Sequence, residues 1–159
     1  MRPKLKYDSR DNCNAVNETA TNTLVLGCRG TRFPESVPVI GTFAFSGCDS
    51  LTSIDIPSTI SYIDKFAFYG CPDLTSVNIN NSVDSIGDQA FYCSALRCVT
   101  IGTSVKRLGI SAFQECDSLQ IVNWNAINCT TPTSAIFFNE SMCLPRSLQF
   151  GDSVQDIIS

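Results

Sequence analysis

Apolar residues recur along this chain at intervals of 3, 2, 4 and 3 positions: Leu51, Ile54, Ile56, Ile60 and Ile63, repeated as Leu74, Val77, Ile79, Val83 and Ile86, and again as Leu96, Val99, Ile101, Val105 and Leu108. A helix buries one face every 3.6 residues and a strand every 2, so neither element keeps that spacing. A solenoid coil does. Each coil would form a short strand, bend at Pro57, Asn80 or Gly102, run back through a second extended piece, and close with a short helical or 3-10 turn around an Ala-Phe pair. Equivalent residues of successive coils then stack, with parallel strands ~4.8 Å apart. The predicted fold class is a mostly β solenoid of short parallel strands, repeating about every 22 to 23 residues.

The register comes from three markers. Ala-Phe pairs stand at Ala44-Phe45, Ala67-Phe68, Ala90-Phe91 and Ala112-Phe113, stepping by 23, 23 and 22. Cysteines at 48, 71, 93 and 116 and leucines at 51, 74, 96 and 119 step by 23, 22 and 23. One missing residue explains both offsets: the glycine that precedes the cysteine at Gly47 and Gly70 is absent before Cys93. The position of Ile56, Ile79 and Ile101 extends backward to Phe33 and forward to Trp124. A sixth rung follows at Phe150 after a degenerate turn in which Ala135 to Phe138 supplies the Ala-Phe equivalent.

Ahead of the ladder, AVNE and TLVL flank a polar centre and read as a β-hairpin. A two-residue turn at Ala20-Thr21 places Val16 opposite Val25 and Cys13 opposite Cys28. The open first edge of a solenoid needs cover, and this hairpin is expected to give it. The chain then divides into a tail and hairpin cap (1–30), the repeats (31–124), and a degenerate repeat with a final rung (125–159).

The repeat, as it stands in IGTFAFSGCDSLTSIDIP, resembles the leucine-rich repeats of BspA-like surface proteins. The preceding YDSRDNCNAVNETATNTLVLGC is similar to the stretch that leads into such repeats. The resemblance implies a right-handed leucine-rich-repeat solenoid, a cell-surface or secreted location, and a role in adhesion or in binding host, matrix or other extracellular partners, with no catalytic residue. The N-terminal MRPKLKYDSRDN lacks the apolar stretch of a signal peptide. Since the last rung also breaks off at Ser159, the chain reads as a piece of a longer array.

Composition narrows the chemistry. The 159 residues carry a formal charge of −4 and no histidine, which removes Ser-His and Cys-His catalytic pairs and imidazole metal ligands. The eleven Lys and Arg are not clustered as a phosphate-binding surface would require, so no nucleic-acid partner is expected. No stretch approaches the ~18 to 20 apolar residues of a membrane span. A monomer is expected, without cofactor or metal: there is no D-x-D-x-D calcium loop and no phosphate-binding GK[ST].

Nine cysteines would ordinarily suggest a disulfide scaffold or a metal cluster, but no C-x-x-C pair occurs. Cys48, Cys71, Cys93 and Cys116 are instead read as one repeat position, where a small buried side chain packs beside the next turn. Cys13 and Cys28 face each other in the hairpin and are a possible disulfide. Cys98, on an outward strand position, is the expected reactive thiol.

The partner-binding candidates lie on the strands. In Leu-x-x-Ile-x-Ile the x residues face away from the core, giving one ladder of Thr52, Thr75, Arg97 and Gln120, a second of Ser53, Ser76, Cys98 and Ile121, and a third of Asp55, Asn78, Thr100 and Asn123. The face is dense in hydroxyls and amides and suits an extended protein or a glycan; the alternatives are a solvated spacer face, or a hydrolase needing a carboxylate pair such as Glu115 with Asp117. Trp124 is expected in the core, and Lys106 and Arg107 are expected to face Asp84 as a weak surface ion pair.

Overall fold

The computed structural model describes residues 7–8, 14–130 and 147–150. Twelve strands run in chain order: β1 Tyr7–Asp8, β2 Val16–Glu18, β3 Thr23–Leu26, β4 Val39–Ile40, β5 Ser53–Ile56, β6 Tyr62–Ile63, β7 Ser76–Ile79, β8 Ser85–Ile86, β9 Cys98–Ile101, β10 Arg107–Leu108, β11 Ile121–Trp124 and β12 Ser147–Phe150. They form two sheets. The four-residue strands make a parallel sheet in the order β12-β11-β9-β7-β5, and the two-residue return strands extend the hairpin into a second sheet, β1-β2-β3-β4-β6-β8-β10.

The predicted register holds. Val77 pairs with Ile54 and Val99, and Trp124 pairs with Ile101 and, across a longer connection, with Phe150. Leu51, Ile56, Ile60, Ile63 and their equivalents in the next two coils are all buried. Between strand and return, the repeated Phe residues form a continuous stack: Phe45, Phe68, Phe91 and Phe113 lie 4.9, 5.0 and 5.2 Å apart, centroid to centroid, and within 10° of parallel. The backbone carries the same repeat, since the amides of Phe45, Phe68 and Phe91 donate to Ala67, Ala90 and Ala112 of the following coil.

Four expectations are corrected. The closing turns are not helical: no helix occurs among the described residues. The amides of Ala44, Ser46 and Cys48 each donate three residues back, while Phe45 donates to the neighbouring coil instead. Left-handed residues interrupt any helical path, with φ of 59° at Phe43, 58° at Phe66, 52° at Gln89 and 57° at Ser111. The turn is therefore a chain of β-turns locked to the next coil.

Second, Cys93 is not a ladder cysteine. It is exposed, at φ 54°, in the left-handed position that Gly47 (63°), Gly70 (64°) and Glu115 (60°) fill in the other coils. Its amide donates to Gln114 just as those of Gly47 and Gly70 donate to Tyr69 and Tyr92. The ladder place belongs to Ser94, which is 3% exposed. The missing residue therefore lies between Ser94 and Leu96, in the turn leading to the strand, and not before Cys93.

Third, the hairpin turn spans four residues. Glu18 pairs with Thr23 and Asn17 with Leu24, as the sequence register requires, but a bulge then shifts Val16 from Val25 onto Leu26. The hairpin covers the first edge of the return sheet, where β3 pairs in parallel with β4, while β5 is the last strand of the four-residue sheet. Fourth, Phe33 does not head that sheet: it lies outside any strand, half-buried, with its ring 6.1 Å from Phe45. The Ala135–Phe138 turn and Cys13 lie outside the described residues.

Candidate functional site

The sheet β5-β7-β9-β11-β12 carries five of the nine candidate residues, Asp55, Asn78, Thr100, Ile121 and Asn123, while Thr52, Thr75, Arg97 and Gln120 stand one residue before its strands. Strand alternation sends Ile54, Ile56 and their equivalents inward, so the intervening residues point to solvent. Backbone bonds fix the first ladder: the Thr75 amide donates to Thr52, Arg97 to Thr75 and Gln120 to Arg97, at 2.8 to 2.9 Å. The Thr75 hydroxyl adds a 3.0 Å bond to the Thr52 carbonyl. In the third ladder Asp55, Asn78, Thr100 and Asn123 are direct partners across the strands, and the Asn123 side-chain amide donates to the Thr100 hydroxyl at 3.2 Å.

The two halves of this surface differ. Thr52, Ser53 and Asp55 at the β5 edge are exposed and carry the single acid of the ladders. Toward β11, exposed Arg97 and Gln120 stand beside Ile121, which is 38% exposed although it occupies an outward position. Arginine is among the side chains enriched at protein interfaces. Trp124 lies inward: it is 1% exposed and its indole N–H donates to the Ala126 carbonyl at 3.0 Å. Cys98, between Ser76 and Ile121, is only half-exposed, so Cys93 and not Cys98 is the open thiol.

Cys71 and Cys116 are buried packing residues, and Cys48 is half-buried against the same core. Cys48, Cys71 and Cys116 are free thiols. The Cys71 sulfhydryl donates to the Phe45 carbonyl and that of Cys116 to Phe91, both at 3.1 Å. Burial pushes the Cys71 thiol up to about 11 and that of Cys116 up to about 12, from an ordinary 9.0. Cys28 is also a free thiol, and its sulfur accepts from the Asn14 side-chain amide at 3.5 Å.

Among the described residues no three His, Cys, Asp or Glu side chains gather into a metal-binding group, and no helix is long and apolar enough to cross a membrane. Lys106 pairs with Asp84 at 3.2 Å, with both side chains well solvated, a geometry worth little in stability. Arg107 takes no part in that pair.

Sequence reasoning missed a group of surface aromatics. Phe43 stacks on Phe66 at 4.9 Å, Tyr69 on Tyr92 at 5.2 Å, and Phe66 meets Tyr69 edge-on. The signal was present, since each stacked pair is separated by one 23-residue period. Outward turn positions were simply not followed.

Comparison with known proteins agrees with this architecture. A pneumococcal vaccine antigen, PcpA, is similar in structure over 94% of this chain and 35% of its own, with TM-score 0.69 and 18% identity. A leucine-rich repeat protein of T. pallidum matches over 77% of this chain and 60% of its own (TM-score 0.55, 25% identity). One from Eubacterium ventriosum matches over 95% and 52% (TM-score 0.52, 18% identity). The chain thus spans between about a third and three-fifths of these proteins. Among curated proteins none matches it. A family model, the BspA type leucine rich repeat region, matches in six copies over residues 28–143. With the repeat register, the stacked coils and this match in agreement, the chain belongs to the BspA-type leucine-rich-repeat family.

Proposed function

We propose that this chain is a non-enzymatic interaction module of a cell-surface or secreted protein, and that its five-stranded face binds an extended extracellular protein. The observation that carries this reading is the ladder arrangement itself. Four coils present side chains of like size at one strand spacing, rich in hydroxyl and amide groups and mostly uncharged. An extended chain laid across the coils meets a polar side chain of the third ladder at each step, an acceptor at Asp55 and groups that both donate and accept at Asn78, Thr100 and Asn123. Arg97 and Ile121 supply a charged and an apolar anchor at one end. The extracellular setting is supported by family membership.

The test is binding to a panel of extracellular-matrix proteins, comparing the native chain with the double variant Arg97→Glu, Asn123→Glu. Loss of a saturable interaction by tenfold or more, ~1.4 kcal/mol, supports the reading. Binding untouched by reversal of the face refutes it. If the native chain binds no member of the panel, the spacer reading, in which these coils only extend a longer array, takes its place.

A further inference from the structure

The return sheet carries a second surface, on a different sheet from the ladders just described. Its outward positions pair Tyr62 with Ser85 and Ser85 with Arg107 across β6, β8 and β10. The middle coil therefore has a small hydroxyl between two long side chains. Two residues on, Gly87 and Gly109 bring the backbone even closer: an added Cβ at Gly87 would collide with the Lys65 amide, and one at Gly109 with Asp88. Glycine at both places lets the coils stack closely, and beside them lies an open notch of about 410 Å³ lined by Ser85, Gly87 and the charged side chains of the neighbouring coils. That is within the ~300 to 1,000 Å³ of small-molecule sites.

The walls are charged. Asp64 accepts from the Thr42 hydroxyl (2.9 Å) and from the Lys65 amide (3.0 Å), so both its oxygens are used. Asp88 accepts from the Ile110 amide at 2.8 Å through one oxygen, leaving the other available. The cations are differently placed: Asp84 is taken by Lys106, and among the described residues neither Lys65 nor Arg107 has an acidic partner. Ile110, 65% exposed, forms an apolar rim, and Tyr62, 47% exposed, stands on the neighbouring coil.

We propose that this notch binds a carboxylated monosaccharide unit, a uronic acid residue of a glycan. Arg107 receives the carboxylate through its planar fork of donors, with Lys65 on the opposite wall. The free oxygen of Asp88 and the Ser85 hydroxyl take sugar hydroxyls. The apolar rims meet the C–H face of the ring. A neutral sugar would leave both cations unused. A polyanion without hydroxyls would meet Asp64 and Asp88 with nothing to donate.

The experiment is amide-resolved NMR titration of the chain with D-glucuronate and, separately, D-glucose. Glucuronate is expected to shift the Ser85, Gly87 and Gly109 amides with millimolar affinity, at least tenfold tighter than glucose. Arg107→Gln should weaken glucuronate by about tenfold. Ser85→Tyr should abolish binding by filling the notch, and it copies a side chain already accommodated at Tyr62. Absence of shifts at these amides, equal affinity for glucose, or unchanged binding by Ser85→Tyr would each overturn the proposal. Arg97→Glu should leave this titration unaltered, which separates it from binding at the strand face.

Discussion

The Ser94 hydroxyl donates to the Phe68 carbonyl at 3.1 Å, one coil earlier, reproducing with oxygen the bond that Cys116 makes to Phe91 with sulfur. The repeat therefore selects a small buried donor, and a thiol is one way to supply it. Cys71→Ser should cost less than ~1 kcal/mol, whereas Cys71→Ala, which removes the sulfhydryl donor and leaves the Phe45 carbonyl only its bond from the Cys48 amide, should cost about 1 kcal/mol more than the serine variant. Urea denaturation of the two variants checks this. A serine variant as unstable as the alanine one would contradict it.

Thiol reactivity follows from the same placement. Cys93 is exposed, while Cys71 and Cys116 are buried with pKa values raised to about 11 and about 12. Iodoacetamide at pH 8 should alkylate Cys93 first and leave Cys71 and Cys116 unmodified until the chain unfolds, read by peptide mass analysis. The sign of the pH effect is fixed too. Above pH 9 these thiols ionise in the unfolded chain but stay protonated in the folded one, so stability is full below 9 and falls as pH rises toward 11 to 12.

Phe68 lies fully buried between the rings of Phe45 and Phe91, with centroids 4.9 and 5.0 Å away. Phe68→Ala opens a cavity in the middle of the stack and should cost on the order of 3 to 5 kcal/mol. Chemical denaturation measures it. A loss below ~1 kcal/mol would mean that the stack contributes little.

Two neighbouring kinds of backbone position should respond in opposite ways. Cys93 holds a left-handed φ of 54° where two other coils use glycine, so Cys93→Gly should keep or raise thermal stability by up to ~1 kcal/mol. Gly87→Ala should lower it by more than ~1 kcal/mol, because the new methyl group meets the Lys65 backbone. Thermal melts of both variants decide the matter.

Most of the fold was legible because one physical pattern is copied from coil to coil. Buried apolar spacing fixed the strand register out to Trp124 and Phe150, and the two outward ladders that begin at Ser53 and Asp55 followed from strand alternation. What stayed hidden were local choices that composition disguises. Cys93 carries the expected letter at the wrong place; only the constant three-residue step from Phe45 to Cys48, Phe68 to Cys71 and Phe113 to Cys116 points to Ser94. The bulge between Val16 and Asn17 breaks the constant sum on which pairing arithmetic rests, so that arithmetic cannot contain it. The notch over Ser85 depended on the stacking of three successive return strands, which brings Asp64, Lys65, Asp88 and Arg107 around it.

The strand-face assignment is tested most directly by site-specific photo-crosslinking to a bound matrix protein, with the reactive side chain placed in turn at Asn78, Thr100 and Ser82. Asn78 and Thr100 are paired on the five-stranded sheet, whereas Ser82 lies on the turn toward the return strand. Crosslinks formed from Asn78 and Thr100 and not from Ser82 are the predicted result. Crosslinks formed preferentially from Ser82, or equally from all three, would contradict the account.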